Sequence, residues 1–317
     1  MTKSLALAAL ATTFIATAVA ATPAHAGDGK DLLKFAPESS QIVMVFDMAD
    51  SRDSALLQKG FKKLLDTSTE ATAKLAELGL DPMKDIDTVM FAGGGATDLD
   101  ADKLKDIVII IEGRLPKDKL STIPDVKTST YAGVSIFTND DTDAAFVGDR
   151  LFFTKKGKMK AAIDIALNKG KGKGKSLAAS KKAKALRDAI AATDTNADLW
   201  MTVIVPAKAQ KEMKADQGMV AKTVAVGFNF TADLGAAMKI GTDSAATAEK
   251  MVGMVQSQLP QILQGASAIG LTKAAKSLLV SPDAAAVNIS FTMTEAELMA
   301  LVNMARGFGG GMGGGAP

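Results

Sequence analysis

Apolar positions recur along the chain in two rhythms. "QIVMVFD" (Gln41–Asp47), "DTVMFAG" (Asp87–Gly93) and "DIVIIIEG" (Asp106–Gly113) are short continuous runs, the pattern of buried strands, and the last is apolar enough for a central one. After the first run Leu57, Phe61, Leu64, Leu65, Leu75 and Leu78 fall at helical spacing behind a cap at Asp50 or Ser51. Gly79, with Pro82 beyond it, ends that helix. A short helix near Pro116–Ile123 follows, then strands near Thr130–Thr138, Asp143–Val147 and Leu151–Thr154, with a hairpin turn at Gly148-Asp149. Met159, Ile163, Ala166 and Leu167 mark a helix over Lys156–Leu167, and Leu186 with Ile190 marks another over Ser180–Ala192.

The second half repeats the theme. "DLWMTVIV" (Asp198–Val205) is a strand, followed by paired strands around Thr223–Phe230 and Gly235–Ile240 and a long helix over Ala245–Leu259 that Pro260 kinks or restarts. A helix near Ala268–Ala275, strands around Ser277–Ser281 and Ala285–Met293, and a last helix opened by the capping box Thr294-Glu295-Ala296-Glu297 complete the pattern. The expected class is α+β, in two diverged repeats, each a mainly antiparallel sheet packed by amphipathic helices. The boundaries are a signal peptide over residues 1–26, a first repeat over 27–168, a basic connector over 169–176, a second repeat over 177–306 and a disordered Gly-rich tail over 307–317.

The signal peptide rests on Lys3, an apolar run from Leu5 to about Ala21 and the small-residue site Ala24-His25-Ala26, so the mature protein is expected to be periplasmic or secreted. No later stretch reaches the roughly 18 uninterrupted apolar residues of a membrane span. Cleavage after Ala26 removes the single histidine, and the chain has no cysteine. Ser-His-Asp and Cys-His nucleophiles, disulfides, and zinc sites built on His or Cys are thereby excluded from the mature protein. Folding must then rest on an apolar core, for which 47% hydrophobic residues suffice.

Three stretches carry a resemblance to a group of uncharacterised exported bacterial α+β proteins. They are "FAPESSQIVMVFDMADSRDSALLQKGFKKLL", "TNDDTDAAFVGDRLFFTKKGKMKAAIDIAL", and "ADLWMTVIVP" followed by "AKTVAVGFNFTADLGAAMKIGT". The resemblance implies a fold of two diverged repeats and transfers no activity.

Charge is distributed unevenly. Lys155–Arg187 holds eleven lysines and one arginine against the single acid Asp164, a net of +11, while the rest of the mature chain carries −10. Within it, "KGKGKGKS" (Lys169–Ser176) ends like a phosphate-binding loop, but Lys169 stands where the first glycine belongs and a helix, not a strand, precedes it. Blocks of like charge are usually a solvated helix face and a flexible connector, and that reading comes first. The functional reading is contact with an anionic envelope polymer or another envelope protein through Lys169, Lys171, Lys173, Lys175, Lys181 and Lys182. No aromatic interleaves these lysines, which argues against a platform for single-stranded nucleic acid.

Other candidates are weaker. "DLDAD" (Asp98–Asp102) and "NDDTD" (Asn139–Asp143) lack the Gly and Glu of a calcium loop and read as turns; Gly93-Gly94-Gly95 reads as a loop. Met238, Met251, Met254, Met293, Met299 and Met304 read as gap-fillers of an Ala-rich core, with Cu(I) ligation as the rival. No catalytic motif is present, and no cofactor or metal is implied. The sequence points to a non-enzymatic exported binding or structural module, with a carrier of a lipid or other hydrophobic ligand as the alternative.

Overall fold

The computed structural model describes residues 29–67, 79–94, 106–123, 125–168 and 175–301. The expected signal peptide, the Gly-rich tail, Leu75, Leu78, Asp98–Asp102 and Lys169–Gly174 lie outside the described residues. The strands are β1 (Ser40–Asp47), β2 (Ile86–Gly94), β3 (Val108–Gly113), β4 (Lys127–Tyr131), β5 (Val134–Thr138), β6 (Thr142–Val147) and β7 (Arg150–Lys155) in the first half. Those of the second are β8 (Leu199–Ile204), β9 (Ala221–Phe230), β10 (Leu234–Thr242), β11 (Leu279–Asp283) and β12 (Ala286–Met293). The longer helices are α1 (Ala55–Thr67), α2 (Met159–Ala166), α3 (Lys184–Ala191), α4 (Ala207–Gln217), α5 (Ala245–Ala268) and α6 (Thr272–Ser277). A 3-10 helix, Gly29–Phe35, precedes β1, and a helix over 295–301 follows β12.

The twelve strands among the described residues join one antiparallel sheet in the order β11-β12-β10-β9-β8-β1-β2-β3-β7-β6-β5-β4. The α+β class is as expected, but the strands assigned to two sheets form one, because β1 pairs with β8 from Ile42 opposite Val203 to Phe46 opposite Leu199. Both are central strands, and their alternation fills both faces of the sheet. Val43, Val45, Met90, Ile110, Phe152 and Trp200 meet Leu32 and Phe35 of the 3-10 helix, Met159 and Ile163 of α2, and Leu186 and Ile190 of α3 on one face. Val89, Ile109, Ile111 and Phe153 pack on the other face with Phe61 of α1. In the second half that other face is covered by α5, through Ala248 and Val252 against Val287, and by Leu298 and Leu301 beside Leu234 and Met293.

Several elements differ from their sequence expectation. The single strand near Thr130–Thr138 is the hairpin of β4 and β5, turned at Ala132 (φ 54°) and Gly133 (φ 84°), both left-handed as a type I′ turn requires. Pro260 does not restart the helix: α5 runs through it to Ala268, where most residues of that half are exposed and a missing N–H leaves a carbonyl to water. Gly93 and Gly94 are not loop but the end of β2, and a Cβ on Gly94 would stand 1.8 Å from the carbonyl oxygen of Ser39. Helix α4 buries none of its residues, so no apolar stripe announces it. The methionines divide between clusters, Met251 against Val252 and Val287, Met293 against Leu56 and Leu234, and Met254 is exposed.

Candidate anion-binding surface

Helix α2 points Met159, Ala162, Ile163 and Ile165 at the sheet, so its lysines face out. Lys160 Nζ lies 5.5 Å from the ring centroid of Tyr131, whose hydroxyl donates to Asp164 Oδ1 at 3.0 Å and is held up in pKa by that bond. Lys158 pairs with Asp106 at 3.0 Å, and Lys156 donates to the backbone carbonyl of Asp140 at 3.3 Å.

The stretch after the Gly-Lys run is docked. Glu38 N–H donates to the carbonyl of Lys175 at 2.8 Å, Leu177 N–H to that of Ala36 at 2.7 Å, and Ser176 bridges Pro37. Leu177 is buried in the core, and Ser180 donates its hydroxyl to the Glu38 carboxylate. Arg187 turns inward, its guanidinium donating to the carbonyls of Leu177 and Ser180. Turns, not a helix, follow Ser176, and α3 begins only at Lys184, so the GKS sequence lacks the helix N-terminus that a phosphate loop needs. Lys184 is paired with Asp188.

Of the six lysines read from the sequence, Lys175, Lys181 and Lys182 are exposed and their ammonium groups have no hydrogen-bond or ion-pair partner among the described residues. Lys169, Lys171 and Lys173 lie outside those residues. The fold adds Lys30 and Lys34, which sequence distance conceals: the 3-10 helix buries Leu32 and Phe35 beside α2 and Leu177, and so displays its lysines on the same layer. Lys30 reaches Asn196 Oδ1 at 3.2 Å; Lys34 lies 3.9 Å from Asp31 and 5.2 Å from the Phe35 ring centroid. The apolar spacing of Leu32 and Phe35 was the available signal for this helix.

The array consists of point charges on flexible stems without an outward-facing guanidinium fork. It suits delocalised attraction to a polyanion, not bidentate recognition of one group. "NDDTD" is a turn, with Asn139 Oδ1 accepting from Asp141 N–H at 3.2 Å and Thr142 N–H at 2.9 Å. Among the described residues no group of three or more His, Cys, Asp or Glu is placed to hold a metal ion, and no helix is long and apolar enough to cross a membrane. Where β1 ends and β8 begins, burial, then the charge of Asp50 and that of Asp198, push the carboxyl of Asp47 up to about 6.

No family model matches the chain, and none of the curated proteins does. Among solved structures the chain is similar to TP0453 in crystal form I, at 8% identity over 85% of this chain and 95% of that one, with a TM-score of 0.50. Crystal form III of TP0453 covers the same share of this chain at a TM-score of 0.49. A likeness at this identity concerns the fold alone.

Proposed function

We propose that this is an exported, non-enzymatic protein of the cell envelope, periplasmic or secreted, that contacts anionic polymers through the lysines of the basic segment 155–187, with Lys30 and Lys34 beside its described part. The observation that carries the reading is that Lys175, Lys181 and Lys182 stand exposed and, among the described residues, without a hydrogen-bond or ion-pair partner, while Arg187, Lys158 and Lys184 are engaged within the fold. Ammonium groups without internal counterions add their fields toward a polyanion, and salt screens that sum, which makes the contact salt-sensitive. Heparin chromatography tests it. The protein should be retained at low salt, and the variant with Lys175, Lys181 and Lys182 changed to serine should elute earlier with an unaltered Tm. Equal elution of the two proteins, or no retention of the parent, overturns the reading.

We infer also that the chain is two diverged copies of one unit, β1-β2-β3-β7-β6 and β8-β9-β10-β12-β11, related by a two-fold axis at the Met44–Met201 pair. Support comes from the registers. One row across the sheet reads Met44, Phe91, Ile109, Phe153, Ala144; the other reads Met201, Val226, Met238, Ile289, Val280. Each row ends on a hairpin with a two-residue turn, Gly148-Asp149 in one and Ala284-Ala285 in the other. The β4–β5 hairpin then occupies the chain position that α5 takes in the second copy. A crystal structure in which β6–β7 failed to superpose on β11–β12 by that rotation would end the idea.

A further inference from the structure

A groove of about 300 Å³, open to solvent beside the exposed Ala185, Asp188, Ala192 and Lys222, lies between α3 and β9, β10 and β12. Its cause is the pairing of side-chain sizes. On α3, Leu186 and Ile190 fill the layer above Trp200 and so fix how far the helix stands from the sheet. The adjoining stripe of the same helix, Ala185, Ala189 and Ala192, faces Ala225, Gly241 and Ala286, and alanines on both sides cannot span that gap. No hydrogen bond among the described residues engages the Thr223 hydroxyl, which sits so close over Gly241 that a Cβ there would come within 2.2 Å of it. Lys222, which makes no hydrogen bond or ion pair among the described residues and feels the charge of Asp243, lines the same space with Lys239 and with Asp188, whose carboxylate is paired with Lys184. Lys239 Nζ lies 2.8 Å from Asp283 Oδ2, and an ammonium group with one acceptor keeps two further donors.

We propose that this groove binds an aliphatic carboxylate of about ten carbons, a site distinct from the lysine surface above. The alkyl chain lies along the alanines, and the carboxylate meets Lys222, Lys239 and the Thr223 hydroxyl. At about 30 Å³ for each water-sized unit, a space of 300 Å³ holds about ten methylenes. An apolar hollow with a few convergent polar groups is the usual form of a small-molecule site.

The test is calorimetric titration of the full chain with decanoate and with decanol, which has the same chain and no charge. Decanoate should bind with a Kd on the order of 10–100 μM, and decanol about tenfold more weakly. Ala189→Leu and, on the more exposed side, Ala192→Leu fill the space and should each weaken decanoate at least tenfold while circular dichroism stays unchanged. Lys222→Gln with Lys239→Gln should bring decanoate down to the affinity of decanol. Decanoate binding that survives both leucine variants, equal binding of the two ligands, or no heat below 1 mM (about a tenfold excess over the weakest expected Kd) overturns the proposal. Heparin retention of Ala189→Leu should match the parent, so failure here is separable from failure of the lysine surface.

Discussion

Arg52 Nη2 lies 2.6 Å from Asp87 Oδ1, and the two side chains are only 4% and 11% exposed. The same nitrogen donates to the carbonyl of Ile86 at 3.1 Å, so the turn after β1 is fastened to the first residues of β2. Removing one member of such a pair leaves a charge buried without its counterion. Arg52→Met should therefore lower the unfolding free energy by about 3–5 kcal/mol, and Arg52→Met with Asp87→Leu should recover much of it. Urea denaturation of the three proteins decides; a single variant as stable as the parent would show that the pair is solvated.

Asp47 gives the fold a pH dependence. Its carboxyl ordinarily titrates at 3.8 and is pushed up to about 6 in the fold, first by burial and then by the charge of Asp50. The folded state thus holds this proton more tightly than the unfolded chain does. Its contribution favours folding less and less as pH rises from about 4 to 6 and is constant above that. Asp47→Asn keeps an acceptor for Asp50 N–H, now at 3.3 Å, and removes the titration. The variant should match the parent near pH 4 and exceed it by about 2 °C in Tm at pH 8. Parallel Tm curves for the two proteins across that range would refute the assignment.

Gly94 has no room for a side chain. A Cβ would press on the backbone of Ser39 just before β1, which cannot yield without disturbing a central strand. Gly94→Ala should cost about 1–3 kcal/mol by overpacking, whereas Gly60→Ala, where nothing lies within 4 Å, should be neutral or slightly stabilising. Thermal denaturation of the two variants side by side is the comparison to make.

The continuity of the sheet changes what proteolysis at the Gly-Lys run should yield. Trypsin cleavage among Lys169–Lys175 separates two chains that remain joined by the β1–β8 ladder and by Leu177 and Leu186 in a shared core. The nicked protein should elute as one particle in native gel filtration and split only in denaturant. Fragments that separate without denaturant would mean that the two halves pack independently.

Much local chemistry was legible in the sequence and distant pairing was not. The cap of α1 is not Asp50 or Ser51 but Ser54, whose Oγ accepts from Leu57 N–H at 3.3 Å, because a separate short helix, Met48–Ser51, intervenes. The Thr294–Glu297 box forms as read, Thr294 N–H donating to Glu297 Oε2 at 2.7 Å and Glu297 N–H to Thr294 Oγ1 at 3.2 Å, because both partners lie within one turn. The Gly148-Asp149 hairpin is equally local. Ala132-Gly133 escaped notice because alanine is rarely left-handed and the usual Asn or Asp was missing. Nothing near Val43 says that its neighbour across the ladder is Thr202, and so one sheet was read as two. The lysines of 175–182 were found by charge alone, while Lys30 and Lys34 needed the docking of Leu32 and Phe35 to join them.

The place of β1 in the sheet sets an order of events at birth. It is the earliest strand in the chain among the described residues, yet it lies at the centre, and its two neighbours arrive unequally late: β2 from Ile86, β8 only with the second half. Until Leu199–Ile204 emerges, the open side of an apolar strand offers unpaired N–H and C=O groups to any passing chain. The nascent protein is most exposed to mispairing during that interval, and a holding chaperone would have its greatest effect on it then.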